Sequence, residues 1–271
     1  MRRLYTVLLY LALPLVLLFL LLRSLRNAGY RARWSERFGR FSGPARTGGI
    51  AVHAASLGEV NAASALIAAL ARHYPDEPLT VTTFTPTGSE RVRSVFGETV
   101  FHVYAPLDLP GAVRRFFDRG RPRLLVIMET EIWPNLLNAC EQRGVPCILA
   151  NARLSERSAR GYGRFGAFSR DTLRRFAVIA AQGGSDAERF VALGADPDRV
   201  QVTGSIKFDV EIPDEAAEGL RTVGAAVEYL EDIGMTEVRR HEMELTRYAI
   251  DSLKARYGDR LAFHGCISTA G

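Results

Sequence analysis

The feature that most constrains this chain is a leucine-rich run from Leu4 to Leu22 that contains no charged residue. At 1.5 Å per residue, a helix of this length spans about 28 Å, close to the hydrocarbon thickness of a bilayer. Arginines follow the run more densely than they precede it, which predicts that the remainder of the chain stays in the cytoplasm. We therefore expect residues 1–25 to form a single-pass N-terminal membrane anchor, followed by a basic juxtamembrane segment over residues 26–47.

Two other interpretations of the run fit the sequence less well. A secretory signal needs small residues at a cleavage site, whereas the run is followed by an arginine-rich stretch. A helix that lies in the membrane interface should have a polar face, and the run has none. With the run in the membrane, we expect Trp34, Arg37, Phe38 and Phe41 to lie at the level of the lipid headgroups.

Charge is unevenly distributed along the chain. Residues 1–213 carry 28 basic and 19 acidic side chains, a net charge of +9, whereas residues 214–271 carry seven basic and eleven acidic ones. A basic segment suits an anionic partner, which charge alone leaves open between nucleic acid, acidic lipid headgroups and phosphorylated sugars. Cys140, Cys147 and Cys266 form no metal-binding or disulfide pattern, and the five histidines form no zinc motif. We expect free thiols and no metal site.

From residue 48 to residue 213, short β-rich apolar runs alternate with segments of helical periodicity. This alternation predicts an α/β fold, a Rossmann-like domain whose parallel sheet is covered by helices on both faces. From Asp214 the alternation ends, and residues 214–271 are expected to form a short, mainly helical tail. The predicted strands are Ile50–Ala55, Leu79–Phe84, Val100–Tyr104, Leu124–Met128, Cys147–Ala150, Ala177–Ala181 and Val200–Thr203.

The candidate site residues are the polar residues that directly follow the predicted strands, because ligands of parallel sheets bind beyond the carboxyl ends of the strands. They are Ser56, Gly58 and Glu59 after the first strand, Thr85, Thr87, Gly88 and Ser89 after the second, Glu129 and Glu131 after the fourth, Asn151 and Arg153 after the fifth, Gln182 after the sixth, and Ser205 and Lys207 after the seventh.

Four charged candidates each admit two interpretations. Glu59 stands at a strand-to-helix junction, where it could act as a general base or cap the helix. Glu129 and Glu131 lie two residues apart on a segment expected to be extended, so at most one should face the crevice, and a helix-capping pair is the alternative. Lys207 is one of only two lysines in a chain with 33 arginines. Its compact ammonium suits a point contact with a phosphate, and its presence by chance is the alternative.

The segment Thr85–Ser89 resembles an anion-binding loop at a helix N-terminus. It lacks the GxxxxGKS pattern of a nucleotide P-loop, and no GxGxxG follows the first strand. Both absences argue against kinase and dehydrogenase functions. Arg153, Arg157 and Arg160 form either an anion-binding patch or an ordinary solvated helix face.

At these residues the chain resembles the 3-deoxy-D-manno-octulosonic acid (Kdo) transferases of lipopolysaccharide assembly. The resemblance implies the N-terminal half of a GT-B glycosyltransferase, in which two Rossmann-like domains face each other across a cleft. It covers residues 1 to about 213 in family order, through the apolar run and the stretches Tyr30–Arg37, His53–Glu59, Val81–Val92, Ile127–Asn135, Asn151–Ser155, Ala180–Gln182 and Thr203–Asp209.

The resemblance also implies a reaction. Glu59 would be the base that deprotonates the acceptor hydroxyl, and Glu129 and Lys207 would stabilise the transition state as the phosphate of CMP-Kdo departs. The other post-strand candidates would bind substrate. The implied partners are a lipid A precursor as acceptor, CMP-Kdo as donor and the bacterial inner membrane, with the catalytic domain on its cytoplasmic face; no cofactor, metal or nucleic acid is expected.

After Pro213 the resemblance ends, and the donor domain of the family does not follow. Residues 219–257 instead resemble a fragment of the class V aminotransferases and cysteine desulfurases, without their PLP-lysine and persulfide-cysteine motifs. We therefore expect little activity from this chain alone. The alternative is a non-catalytic, membrane-tethered module that binds an anionic lipid or a sugar phosphate.

Overall fold

The computed structural model describes residues 1–43 and 47–206. Within them, seven parallel strands form one sheet with the order β3-β2-β1-β4-β5-β6-β7. The strands are β1 (Ile50–His53), β2 (Leu79–Thr83), β3 (Phe101–Tyr104), β4 (Leu124–Met128), β5 (Cys147–Ala152), β6 (Val178–Ala181) and β7 (Val200–Val202).

The predicted fold class is confirmed, and each predicted strand is present with both ends within two residues of those observed. Two clusters of buried side chains cover the sheet, so the central strands are enclosed on both faces and read as continuous apolar runs. Lys207 and the tail over residues 214–271 lie outside the described residues, and the predictions made for them stay predictions.

The helices connect the strands and pack on both sides of the sheet. Helical periodicity over residues 155–175 predicts one helix, but the segment forms two, because Gly163 and Gly166 flank the break and glycine disfavours helix interiors. The helices of the described part are α1 (Arg2–Arg26), α2 (Trp34–Arg37), α3 (Leu57–His73), α4 (Pro86–Phe96), α5 (Pro110–Gly120), α6 (Pro134–Arg143), α7 (Glu156–Gly163), α8 (Gly166–Leu173) and α9 (Gly184–Ala192).

Helix α1 lies with one face on the α/β domain. Its burial follows the helical period: Leu9 and Leu13 are half-buried and Leu20 is buried, whereas Leu11 and Leu15 on the opposite face are each 69% exposed. In the described part of the chain it is the one helix long and apolar enough to cross a membrane. This composition fits membrane association, with the exposed leucine face available to lipid.

Polar contacts hold the first turns of α1 to the domain. The Tyr5 hydroxyl donates to Oδ2 of Asp108 at 3.0 Å, and the Thr6 hydroxyl donates to Oδ1 of Asn135 at 3.1 Å. Near the other end of the helix, Ser24 is buried. Leu20 and Arg23, near the same end, border a cavity that Phe84 and Leu107 of the domain also line.

The juxtamembrane segment is part of the domain. Arg37 is 1% exposed, and its Nη2 donates to the carbonyl oxygen of Phe84 at 2.8 Å. Phe41 lies 6.0 Å from the rings of both Phe101 and Phe116. These side chains complete the packing between strand and helix instead of facing outward, and their expected position at headgroup level stays a prediction.

Two of the three cysteines fall in the described part. Cys140 and Cys147 are both buried and free, as predicted. Burial raises the pKa of the Cys147 thiol well above its ordinary value, which keeps the thiol protonated and unreactive.

Candidate active site

From β1 the sheet extends in two directions: β2 and β3 lie on one side of β1, and β4 to β7 lie on the other. The strand order therefore reverses between β1 and β4. In doubly wound sheets the crevice beyond the carboxyl ends at such a switch point is where ligands bind. Glu59 follows β1, whereas Glu129 and Glu131 follow β4. The topology therefore brings three of the predicted carboxylates to one crevice.

Glu59 is held in a fixed position at the start of α3. Ser56 caps the helix by accepting a hydrogen bond from the Glu59 N–H at 3.4 Å. In return, the Glu59 carboxylate accepts from the Ala55 N–H at 2.8 Å through Oε2 and from the Ser56 hydroxyl at 2.9 Å through Oε1. This arrangement resembles a capping box, with the carboxylate bonding the N–H of the residue before the N-cap, so Glu59 contributes to the start of α3. Each oxygen keeps a further lone pair, which leaves the base role available as a prediction.

The carboxylates of the crevice influence one another. Burial raises the pKa of Glu59, the hydrogen bonds from Ala55 and Ser56 oppose this, and the charge of Glu129 adds to it. Burial also raises the pKa of Glu131 to about 6, again assisted by the charges of Glu59 and Glu129. Carboxyl groups with pKa values raised towards neutrality are suited to accepting a proton near pH 7.

Glu129 has an unusual backbone conformation. Its φ is +57°, in the left-handed region that few residues other than glycine adopt. β4 ends at Met128, and a turn begins at Glu129. The premise that Glu129 and Glu131 lie on an extended segment is therefore wrong, and the alternation of faces does not apply to them. Such strained positions cluster at functional sites.

The N-termini of α3 and α4 lie side by side at this edge. Thr85 caps α4, since its Oγ1 accepts from the Gly88 N–H at 3.1 Å. A Cβ added at Gly88 would lie 3.3 Å from the carbonyl carbon of Ser56, so glycine permits the close approach of the two helices. At Gly58 the nearest atom would be Ser56 Oγ at 3.9 Å, which leaves open space beside the site. Thr87 is exposed on the same turn.

Ser89 differs from these neighbours in its environment. It is 3% exposed and accepts a hydrogen bond from Nη2 of Arg33. This contact ties α4 to the juxtamembrane segment and leaves Ser89 with almost no accessible surface for a substrate.

Asn151 connects the ends of three strands. It is 4% exposed with φ +54°, its carbonyl accepts from Gln182 Nε2 at 3.1 Å, and its Oδ1 accepts from the Ile206 N–H at 3.3 Å. The segment after β7, which includes the half-buried Ser205, is thus drawn across the end of β6 towards β5. Lys207 directly follows Ile206 and lies beyond the described residues.

The predicted arginine patch separates into different environments. The carbonyl oxygen of Arg153 accepts from the Thr130 hydroxyl, which places exposed Arg153 beside the turn that carries Glu129. Arg160 lies 3.7 Å from Glu156 one helical turn away, and both side chains are largely exposed. The solvated-face interpretation therefore fits Arg160, whereas Arg153 borders the candidate site.

Sequence reasoning missed Trp133. Its indole Nε1 donates to Oε2 of Glu131 at 2.9 Å, and its ring stacks on Phe84 with centroids 5.3 Å apart. A buried tryptophan N–H usually has a hydrogen-bond acceptor, and Glu131 two residues away could have been proposed as that acceptor.

Asp108 was also missed. It is 3% exposed and accepts from the backbone N–H groups of Asn135 at 2.9 Å and Leu136 at 2.7 Å, besides the Tyr5 hydroxyl. It therefore caps the start of α6 from a distant loop, which no local sequence pattern announces. Among residues 1–43 and 47–206, no three His, Cys, Asp or Glu side chains are arranged to hold a metal ion.

Comparisons with known proteins point to one family. The family model for 3-deoxy-D-manno-octulosonic-acid transferase (kdotransferase) matches residues 32–210. A transferase of that name from Haemophilus influenzae is 44% identical over 228 residues, covering 82% of this chain and 53% of the relative. The one from Bordetella pertussis is 37% identical over 222 residues, covering 79% of this chain and 51% of the relative.

Solved structures match more distantly. A UDP-GlcNAc 2-epimerase from Neisseria meningitidis, bound to UDP-GlcNAc, is 14% identical with a TM-score of 0.46, covering 72% of this chain and 53% of that one. The chain spans about half the length of the curated relatives it matches.

Proposed function

Since this chain belongs to the Kdo transferase family, whose model matches residues 32–210, we propose that it forms the acceptor-binding side of an enzyme that transfers Kdo from CMP-Kdo to a lipid A precursor. The reaction is a step of lipopolysaccharide core biosynthesis. The observation that carries the proposal is the convergence of Glu59, Glu129 and Glu131 at the switch point between β1 and β4.

In the proposed reaction, Glu59 takes the proton from a hydroxyl of the acceptor sugar. The hydroxyl oxygen forms a bond with the anomeric carbon of Kdo while the bond from that carbon to the phosphate oxygen of CMP breaks, and its electron pair leaves with the phosphate. Configuration at the anomeric carbon is inverted. Glu59 suits this role because Ala55 and Ser56 fix its carboxylate and burial raises its pKa.

Glu129 and Lys207 have complementary roles in this proposal. The carboxylate of Glu129 favours the positive charge that develops on the sugar ring as the phosphate departs. The ammonium of Lys207 counters the negative charge that develops on the phosphate. Lys207 directly follows Ile206, whose N–H donates to Oδ1 of Asn151. The acceptor headgroup is assigned to the open space beside Gly58, and Thr87, Arg153 and Gln182 are proposed as further substrate-binding residues. The reaction requires neither a metal nor a cofactor.

A reconstituted transfer assay tests the proposal. Membranes containing this chain are incubated with labelled CMP-Kdo and a lipid A precursor, with and without the separately expressed C-terminal half of the Haemophilus influenzae relative. We expect labelled lipid only when both halves are present, because each would supply one side of the cleft. Labelled lipid from the C-terminal half alone would contradict the proposal. Acceptor binding without transfer in the complete mixture would favour the non-catalytic binding module instead.

The membrane in this proposal is the bacterial inner membrane, with the α/β domain on its cytoplasmic face. The arginines after α1 favour the cytoplasmic side. Tyr5 near one end of α1 bonds Asp108, and Arg23 near the other end borders a cavity that Phe84 also lines. These contacts support an arrangement in which α1 lies in the cytoplasmic leaflet with its leucine face in lipid. The single pass expected from length alone would require α1 to leave the domain.

Cysteine labelling distinguishes these two arrangements. We expect an Arg3→Cys variant, made with Cys266→Ser, to react with a membrane-impermeant maleimide in inside-out vesicles, because the first turn of α1 then lies on the cytoplasmic side. Buried Cys140 and Cys147 provide little background. Labelling confined to right-side-out vesicles would establish a spanning helix instead.

A further inference from the structure

A cavity of about 330 Å³ lies between α1 and the α/β domain. Leu9, Leu13 and Leu20 of α1 line one wall, and Phe84, Leu107 and Trp133 line the other. We propose that this cavity holds one acyl chain of the lipid acceptor while its sugar lies at the carboxylate crevice. The inference rests on the proposed function, because it assigns a site to the acyl chain of the acceptor, whereas the crevice receives only its sugar.

The chemistry of the cavity fits a hydrocarbon chain. Its walls are mostly apolar side chains, and its volume is at the lower end of the range for small-ligand pockets. Apolar cavities exclude water and accept apolar guests. One wall is a helix whose opposite face is exposed leucine, so the cavity adjoins the surface at which a membrane lipid would be encountered.

Residues that line the cavity also contact the carboxylates of the crevice, and this connection indicates which lipid would occupy the cavity. The Trp133 ring borders the cavity and stacks on Phe84, while its Nε1 donates to Glu131 at 2.9 Å. Thr85 also borders the cavity, and its N–H donates to the carbonyl of Ala55, whose own N–H holds Glu59. A lipid whose headgroup lies beside Glu59 would therefore have its acyl chain at the cavity. A bulk phospholipid lacks the sugar headgroup that the carboxylates would bind, so it would not be held there.

Cationic groups at the cavity suit a phosphorylated, acylated glycolipid. The Arg23 guanidinium borders the cavity 5.1 Å from the centroid of the Tyr30 ring, on the side where α1 ends. Arg37 also borders it, and its Nε has no hydrogen-bond partner among the described residues. Arg23 thus offers a positive charge for a phosphate, and the buried Arg37 adds a second positive charge behind the cavity wall.

Trp133 provides a direct reporter of the occupant. The chain has two tryptophans, so a Trp34→Phe variant leaves Trp133 as the single fluorophore. This variant is placed in nanodiscs of unlabelled phosphatidylethanolamine and phosphatidylglycerol. A lipid A precursor with bromine in the middle of its acyl chains is then added, and phospholipid brominated at the same depth is added in a parallel sample.

We expect the brominated precursor to quench Trp133 and the quenching to saturate at equimolar lipid, whereas brominated phospholipid at the same mole fraction leaves the fluorescence almost unchanged. Leu13→Phe, which fills the cavity, should abolish the quenching; Leu15→Phe on the exposed face is the matched control and should retain it. Equal quenching by both lipids, or no quenching, would overturn the proposal.

The assay needs neither CMP-Kdo nor transfer, so the two proposals fail separately. Saturable quenching by a chain that transfers no Kdo in the reconstituted assay would keep the acyl site and reject the transferase. Transfer at the unmodified rate by Leu13→Phe to the acylated precursor would keep the transferase and reject the acyl site.

Discussion

Replacing Glu59 by glutamine is expected to lower Kdo transfer in the reconstituted assay by roughly 10²- to 10⁴-fold, the usual contribution of a general base. The glutamine amide keeps an oxygen to accept from the Ala55 N–H and an NH₂ group to donate to Ser56 Oγ, so the start of α3 should remain capped. What the variant loses is the ability to take a proton. Its rate should be compared with its melting temperature in the same detergent.

Two further variants separate catalysis from capping at this position. Glu59→Ala removes both the base and its share of the cap, so it should lose transfer to a similar extent and also lose about 1 kcal/mol of stability. Ser56→Ala weakens the cap but keeps the carboxylate, so it should retain far more transfer than Glu59→Gln. Wild-type transfer by Glu59→Gln would confine Glu59 to the capping role.

Replacing Asp108 by alanine should cause the largest loss of stability. The change leaves the N–H groups of Asn135 and Leu136 and the Tyr5 hydroxyl without their acceptor, in a buried environment. Each unsatisfied buried group costs roughly 1–3 kcal/mol, so we expect a total loss of at least about 3 kcal/mol. In thermal unfolding this corresponds to a fall in melting temperature of roughly 10 °C.

Leu15→Ala, on the exposed face of α1, is the matched control and should change the melting temperature little in detergent. An Asp108→Ala protein that melts within a degree or two of the wild type would show that α6 and α1 do not depend on this carboxylate.

Asp108 should also give the stability a pH dependence of defined sign. Burial raises its pKa from 3.8 to about 6, against the opposing hydrogen bonds from Asn135, Leu136 and Tyr5. Between these two values the folded chain binds more protons at Asp108 than the unfolded chain, so this contribution to stability falls as pH rises through the folded pKa and levels off well above it. The fall is at most about 3 kcal/mol, from 1.36 kcal/mol per pKa unit. Subtracting the curve of Asp108→Asn should isolate it; parallel curves for the two proteins would exclude it.

The sheet and the position of the crevice follow from local patterns. The apolar run Leu124–Met128 ends where Glu129 begins, and the Pro134 that starts α6 is visible in the sequence. Because the rule that ligands bind beyond strand ends depends only on topology, Glu59 and Glu131 could be assigned to one edge before any coordinates.

Other parts of the site could not be predicted, because they depend on contacts between distant segments or on one backbone angle. Helix α1 is apolar on all sides, so its sequence does not distinguish the face on Phe84 and Trp133 from the face exposed to lipid. The left-handed turn at Glu129 has no glycine to indicate it. Arg37 reads as a surface arginine, and only tertiary packing encloses it.

The docking of α1 bears on how a substrate would arrive. From Tyr5, which bonds Asp108, to Arg23, which borders the cavity lined by Phe84, the helix is about 27 Å long at 1.5 Å per residue. In the proposed arrangement that length lies in one leaflet, so this single helix would set the depth and tilt of the α/β domain at the bilayer. A glycolipid could then reach the crevice by lateral diffusion within its own leaflet, without its chains ever being exposed to water. Encounter would become a search in two dimensions, governed by the surface density of the lipid and the viscosity of the leaflet.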